Sequence, residues 1–128
     1  MKSLSIFLAV AGGGAIGASL RHALQLAALR VFGPGFPFGA FAVNVAGCFA
    51  MGLLVAFLAA REPHPGELRA FLGVGVLGGF TTFSAFALDA VTLWREKALL
   101  LAALYVTGSV VLSIGGLVAG LWAGRALW

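Results

Sequence analysis

Charge is scarce in this chain. Of its 128 residues only 9% are charged, four acids against eight lysines and arginines. A soluble domain carries about 25% charged residues. Too few are present here to cover a globule in water, which excludes a soluble globular enzyme and a disordered tail. The net charge of +4 does not mark a nucleic-acid partner, because the basic residues are scattered rather than patched. Cysteine is almost absent. Cys48 stands alone in an apolar run, so it forms no intramolecular disulfide and reads as a small buried hydrophobe. The two histidines, His22 and His64, share no ligand spacing with acids or with Cys48. There is no nucleotide-binding loop and no nucleophile-and-base constellation, so no enzyme is expected.

What is plentiful is apolar surface. Hydrophobic residues make up 62% of the chain, with 19 glycines and a mean hydropathy of +1.09. That composition belongs to a small polytopic membrane protein, a single unit over residues 1–128. A membrane-crossing helix takes about 20 mostly apolar residues. Four such runs are present, over Leu4–Val31, Gly39–Ala60, Leu68–Trp94 and Ala98–Trp122. Between them lie Gly33-Pro34-Gly35-Phe36-Pro37, Arg61 to Glu67 and Arg95-Glu96-Lys97, which are polar or turn-forming. Met1-Lys2-Ser3 and Ala9-Val10-Ala11 have some features of a leader. The apolar run continues past them, so an uncleaved first span is expected.

Lysine and arginine favour the cytoplasmic side. With four spans, one side receives Lys2, Arg61, Arg69 and Arg125. The other receives Arg30, Arg95, Lys97 and, if it snorkels outward, Arg21. The bias is zero, which predicts insertion in both orientations and pairing as an antiparallel homodimer. Small-residue spacings at Gly13/Gly17, Gly75/Gly79 and Gly116/Gly120/Gly124 predict close helix approach.

The third span carries the most information. Gly78-Gly79 followed by Thr81-Thr82 is a poor helix interior. A break there frees backbone carbonyls inside the membrane, which bind protein, water or a small hard cation. The other reading is a glycine patch for packing, with threonine back-bonding. Phe83 and Phe86 share a helix face, and Phe80 continues the stripe. Their ring edges can line an anion's path, or the rings can simply pack. Asn44 is the strongly polar side chain deep in span two, either helix glue or pore lining. Tyr105, Ser109 and Ser113 form a hydroxyl stripe on span four, unless the serines bond their own helix. Arg21 either snorkels to the surface or presents positive potential to an anion in a vestibule.

Gly78-Gly79-Phe80-Thr81-Thr82-Phe83-Ser84-x-Phe86 resembles the signature of the Fluc/CrcB family of fluoride channels. So do Gly39-x-x-x-Val43-Asn44-x-x-Gly47 and Gly14-Ala15-x-Gly17-Ala18-x-x-Arg21. The resemblance covers all four spans. It implies an all-α membrane protein with four transmembrane helices per chain, the third broken at its centre, paired as an antiparallel dual-topology homodimer. It implies a passive channel in the cell inner membrane with two fluoride pores per dimer. Such a channel exports fluoride that accumulates after HF crosses the membrane and ionises. Carried onto this chain, the pore set is Asn44, Phe83, Phe86, Ser84, Tyr105, Ser109 and Ser113, with Arg21 at the vestibule. A structural sodium ion, not transported, is implied on the backbone carbonyls of Gly78 and Thr81. Phe80 and Asp89 depart from the pattern, where an aliphatic residue and Glu are expected. The alternative is a small multidrug-type, proton-coupled transporter. That class needs a membrane-embedded carboxylate in the first span, and here span one has no acid.

Overall fold

A computed structural model describes all residues, Met1–Trp128. Four helices long and apolar enough to cross a membrane follow one another along the chain, so the protein is an all-α, multi-pass membrane protein. Helix α1 (Lys2–Phe32) stops at Gly33, whose φ of 75° lies in the left-handed region and whose N–H donates to Leu29 O at 2.9 Å. Glycine takes that conformation without a Cβ clash, and Pro34 prevents the helix from resuming. Helix α2 spans Phe38–Ala59. The third span, Gly66–Arg95, is built in pieces: α3 (Gly66–Arg69), a π-helical stretch (Ala70–Leu77), α4 (Gly78–Phe80) and α5 (Phe83–Arg95). Helix α6 (Leu99–Leu127) closes the chain.

Between α5 and α6 the chain reverses in a tight cap. Lys97 sits at φ 58°. The N–H of Ala98 donates to Leu93 O at 3.0 Å and that of Lys97 to Trp94 O at 2.9 Å, the paired bonds that satisfy the last carbonyls of a helix. The observed spans start and stop within two residues of the sequence boundaries, with one exception. Helix α6 runs to Leu127 rather than ending near Trp122. Arg125 ends the apolar run but not the helix, since a cation in a last turn favours the helix dipole. Trp128 then packs edge-on against Phe57, with ring centroids 5.1 Å apart.

Small residues set the packing. A Cβ added at Gly13 would meet the Phe71 carbonyl oxygen, and one at Gly17 the Val76 carbonyl oxygen, so α1 lies directly on the third span. A Cβ at Gly52 would meet Leu117 O, and one at Gly120 would meet Phe49 O, which joins α2 to α6 in the same way. With no hydrophobic drive between helices in lipid, such close approach is what holds them together. Leu24, Leu88, Val111 and many other large apolar side chains stay exposed. Helices that are apolar all round are suited to lipid or to a second protein surface.

Candidate functional site

The third span loses its helix at two residues. Thr81 (φ −79°, ψ 158°) and Thr82 (φ −150°, ψ 123°) are both extended, the conformation that β-branched side chains favour. The break therefore falls on the threonines. Gly78 and Gly79, the other half of the expected break, are helical in α4. For Gly79 the role is space: a Cβ there would come within 2.8 Å of Gly14 O on α1.

Broken backbone inside a membrane must find partners, and side chains from three helices supply them. On α2, Asn44 Nδ2 donates to Thr82 O at 2.9 Å, and Thr82 N–H donates to Asn44 Oδ1 at 2.8 Å. The amide thus replaces both ladder bonds of Thr82. On α1, Arg21 Nε donates to Gly79 O at 3.0 Å. A cation at the C-terminal end of a half-helix is also well placed against the helix dipole. Arg21 therefore turns inward to the break rather than snorkelling to the surface. Thr82 caps α5 itself, its Oγ1 accepting the Ala85 N–H at 3.1 Å. Thr81 back-bonds, with Oγ1 donating to Leu77 O at 3.0 Å.

The break opens onto a cavity of about 320 Å³ between α2, α5 and α6. Asn44, Phe83, Phe86, Ser109 and Ser113 line it, together with both threonines of the break. Ser109 is only 4% exposed. The hydroxyl oxygens of Ser109 and Ser113 are buried and have no hydrogen-bond partner. Neither bonds its own helix, the alternative reading of that stripe. Helix α5 begins at this cavity, so its first N–H groups, which have no intrahelical acceptor, lie at its edge.

The aromatic stripe is divided. Phe83 and Phe86 lie with ring centroids 5.5 Å apart. Phe83 is 79% exposed and Phe86 9% exposed. Phe80 does not continue the stripe, because the break turns it toward α2. A Cβ at Gly47 would lie 3.1 Å from its ring. Two further sequence candidates lie beside the cavity rather than in its wall. Ser84 is exposed at the start of α5, its Oγ 3.5 Å from Thr82 Oγ1. Tyr105 is fully buried. Its hydroxyl donates to Asp89 Oδ2 at 3.1 Å, and its ring stacks on Phe86 with centroids 5.3 Å apart. Sequence reasoning missed that pair, and also missed Cys48, which lines the cavity. The i, i+4 spacing of Asn44 and Cys48 was the available signal.

For a hard cation the donors on offer are backbone oxygens, since no cluster of three or more His, Cys, Asp or Glu is present. Arg21 takes Gly79 O, and Asn44 takes Thr82 O. No backbone bond outside the regular helices ends on the carbonyl of Gly78 or Thr81. Those two oxygens therefore have no partner among the bonds of the break.

Residues 8–121 match the family described as CrcB-like protein, Camphor Resistance (CrcB). The chain is 53% identical over 122 residues to the fluoride-specific ion channel FluC of Paracoccus denitrificans, covering 95% of this chain and 96% of that one. It is 49% identical over 123 residues to the FluC of Mesorhizobium japonicum, with 96% and 98% covered. It is 54% identical over 123 residues to that of Cereibacter sphaeroides, with 95% and 96% covered. On a family match spanning all four membrane helices and relatives alike over nearly their whole length, the chain belongs to the CrcB family.

Proposed function

We propose that this chain is a fluoride-selective passive channel, its ion path running through the cavity beside the broken third span. The observation that carries the reading is that Ser109 and Ser113, which line that cavity, hold buried hydroxyls with no partner. A buried hydroxyl without a partner is costly, so the pair is suited to a ligand that arrives. Fluoride is small and strongly hydrated. A path for it must replace water with donors, and hydroxyls, ring edges and helix-start amides do so without a fixed charge that would trap the ion. Asn44 holds the break open, while Phe83 and Phe86 offer ring edges. Ser84 flanks the mouth of α5, and Tyr105 backs Phe86. The names of the relatives support fluoride as the ion.

The working unit in this reading is an antiparallel homodimer with two pores. The near-balance of charge on the two sides supports it, four cations against three once Arg21 is turned inward. So do the two carbonyls of Gly78 and Thr81: hard cations take about six oxygen ligands, more than one chain offers. A second copy would bring its own pair to a central sodium ion, which would hold the two breaks together. Arg21 and Asn44 keep the neighbouring carbonyls occupied, leaving these two for the ion. Two lysines appended after Trp128 would bias insertion and roughly halve functional assembly if both orientations are needed. Unchanged activity would count against the antiparallel pair. The proton-coupled alternative finds little support, because the carboxylate of Asp89 is already engaged by Tyr105.

The test is the double change Ser109→Ala/Ser113→Ala. Neither hydroxyl has a protein partner, so the fold loses no hydrogen bond and thermal stability should hold. Fluoride efflux from liposomes should fall about ten-fold or more. Wild-type efflux in the double variant would remove the hydroxyls from the path.

A further inference from the structure

The cavity contains one reactive side chain to which the conduction reading assigns no role. Cys48 follows Asn44 by one turn on α2, so the two share a face, and both line the same cavity. Its thiol is free, and it is the only cysteine in the chain. A lone thiol in an apolar helix would ordinarily be packing. Here a second feature points to a ligand: Ser109, 4% exposed, lines the same cavity with a hydroxyl that has no partner. The cavity wall therefore holds an unsatisfied donor as well as the cysteine.

We infer that Cys48 lines the ion path and is a modification site within it, open to small electrophiles that reach the cavity. The inference rests on the channel reading above. A thiol is a weak donor that carries no fixed charge when protonated, so it can border an anion's path without trapping the ion. Adding a group to Sγ would fill part of a cavity of about 320 Å³ and remove the S–H donor.

The probe is methyl methanethiosulfonate, small and neutral. The Cys48 thiolate attacks its sulfenyl sulfur. A new S–S bond forms to the methylthio group, the reagent's own S–S bond breaks, methanesulfinate leaves, and the thiol proton passes to buffer. Mildly alkaline buffer raises the thiolate fraction. The purified protein is reconstituted in liposomes, fluoride efflux is read before and after treatment, and intact mass counts the adducts. One adduct per chain should form, with efflux falling about ten-fold, and a thiol reductant should restore both mass and flux. Cys48→Ser is read against its own untreated rate, which the reagent should leave where it was.

Two results overturn the inference. An adduct without loss of flux places Cys48 off the path. No adduct on the folded protein, under conditions that label the unfolded chain, places the thiol away from the cavity. If the untreated protein passes no fluoride at all, the channel reading fails first and the inference falls with it, so the two failures are told apart.

Discussion

Asn44 and Thr82 form a closed pair across two helices. The amide donates to the Thr82 carbonyl at 2.9 Å and accepts the Thr82 N–H at 2.8 Å. One side chain thus stands in for the two backbone partners that Thr82 would have in an unbroken helix. Asn44 is both the brace of the break and part of the cavity wall.

Asn44→Asp tests that dual role. The carboxylate keeps the acceptor but loses the donor, and it faces the Thr82 carbonyl with like charge. We expect a stability loss of about 1–3 kcal/mol, the usual range for orphaning a buried polar group, with fluoride efflux near background while the protein still folds. Thermal unfolding and efflux are measured together. Wild-type efflux would show that the brace is not needed for conduction.

The glycine contacts predict a contrast along the helices. Gly17→Ala places a methyl on the Val76 carbonyl oxygen and should cost about 1–3 kcal/mol through overpacking. Gly115, also helical, has nothing within 4 Å of a built Cβ. Gly115→Ala should be neutral or stabilise by about 0.5–1 kcal/mol, because alanine loses less chain entropy in a helix. Thermal melts of the two variants side by side decide it.

These elements differ in how far they could be read from sequence. The four spans were plain because each is a long apolar run bounded by Pro, Gly or charge. The sequence places the break broadly over Gly78 to Thr82, since Gly-Gly and Thr-Thr both disfavour helix, and the structure narrows it to the threonines. Only tertiary contact decides which pair yields: α1 presses on Gly79, which needs a small residue but not a bend, while Asn44 waits for Thr82. The inward turn of Arg21 and the Tyr105–Asp89 bond lie beyond local pattern, because each joins residues from separate helices. The π-helical stretch Ala70–Leu77 has no sequence signal that we can name.

The phenylalanine pair should separate stability from conduction. Phe83 is mostly exposed, whereas Phe86 is buried against Tyr105. Phe83→Ile should leave the melting temperature of the chain almost unchanged. Phe86→Ile should lower stability by about 1 kcal/mol, as a reshaped core position does. The double variant should fold and lose fluoride efflux. Undiminished efflux would take the ring edges out of the path.

The proposed sodium site on the carbonyls of Gly78 and Thr81 predicts sodium dependence. Replacing sodium on both sides with a large organic cation should lower the melting temperature of the solubilised protein and abolish efflux, since a ligand that binds the folded state stabilises it. The same melting curve in both salts would make the break a packing device only.

The central claim is conduction of fluoride through one cavity, and efflux from liposomes holding the purified protein tests it most directly. A fluoride electrode reads the fluoride flux, with chloride followed in parallel. The account predicts rapid fluoride efflux with negligible chloride. No efflux from a verified dimer in sodium would contradict it and return attention to Asp89 as the carboxylate of a proton-coupled transporter.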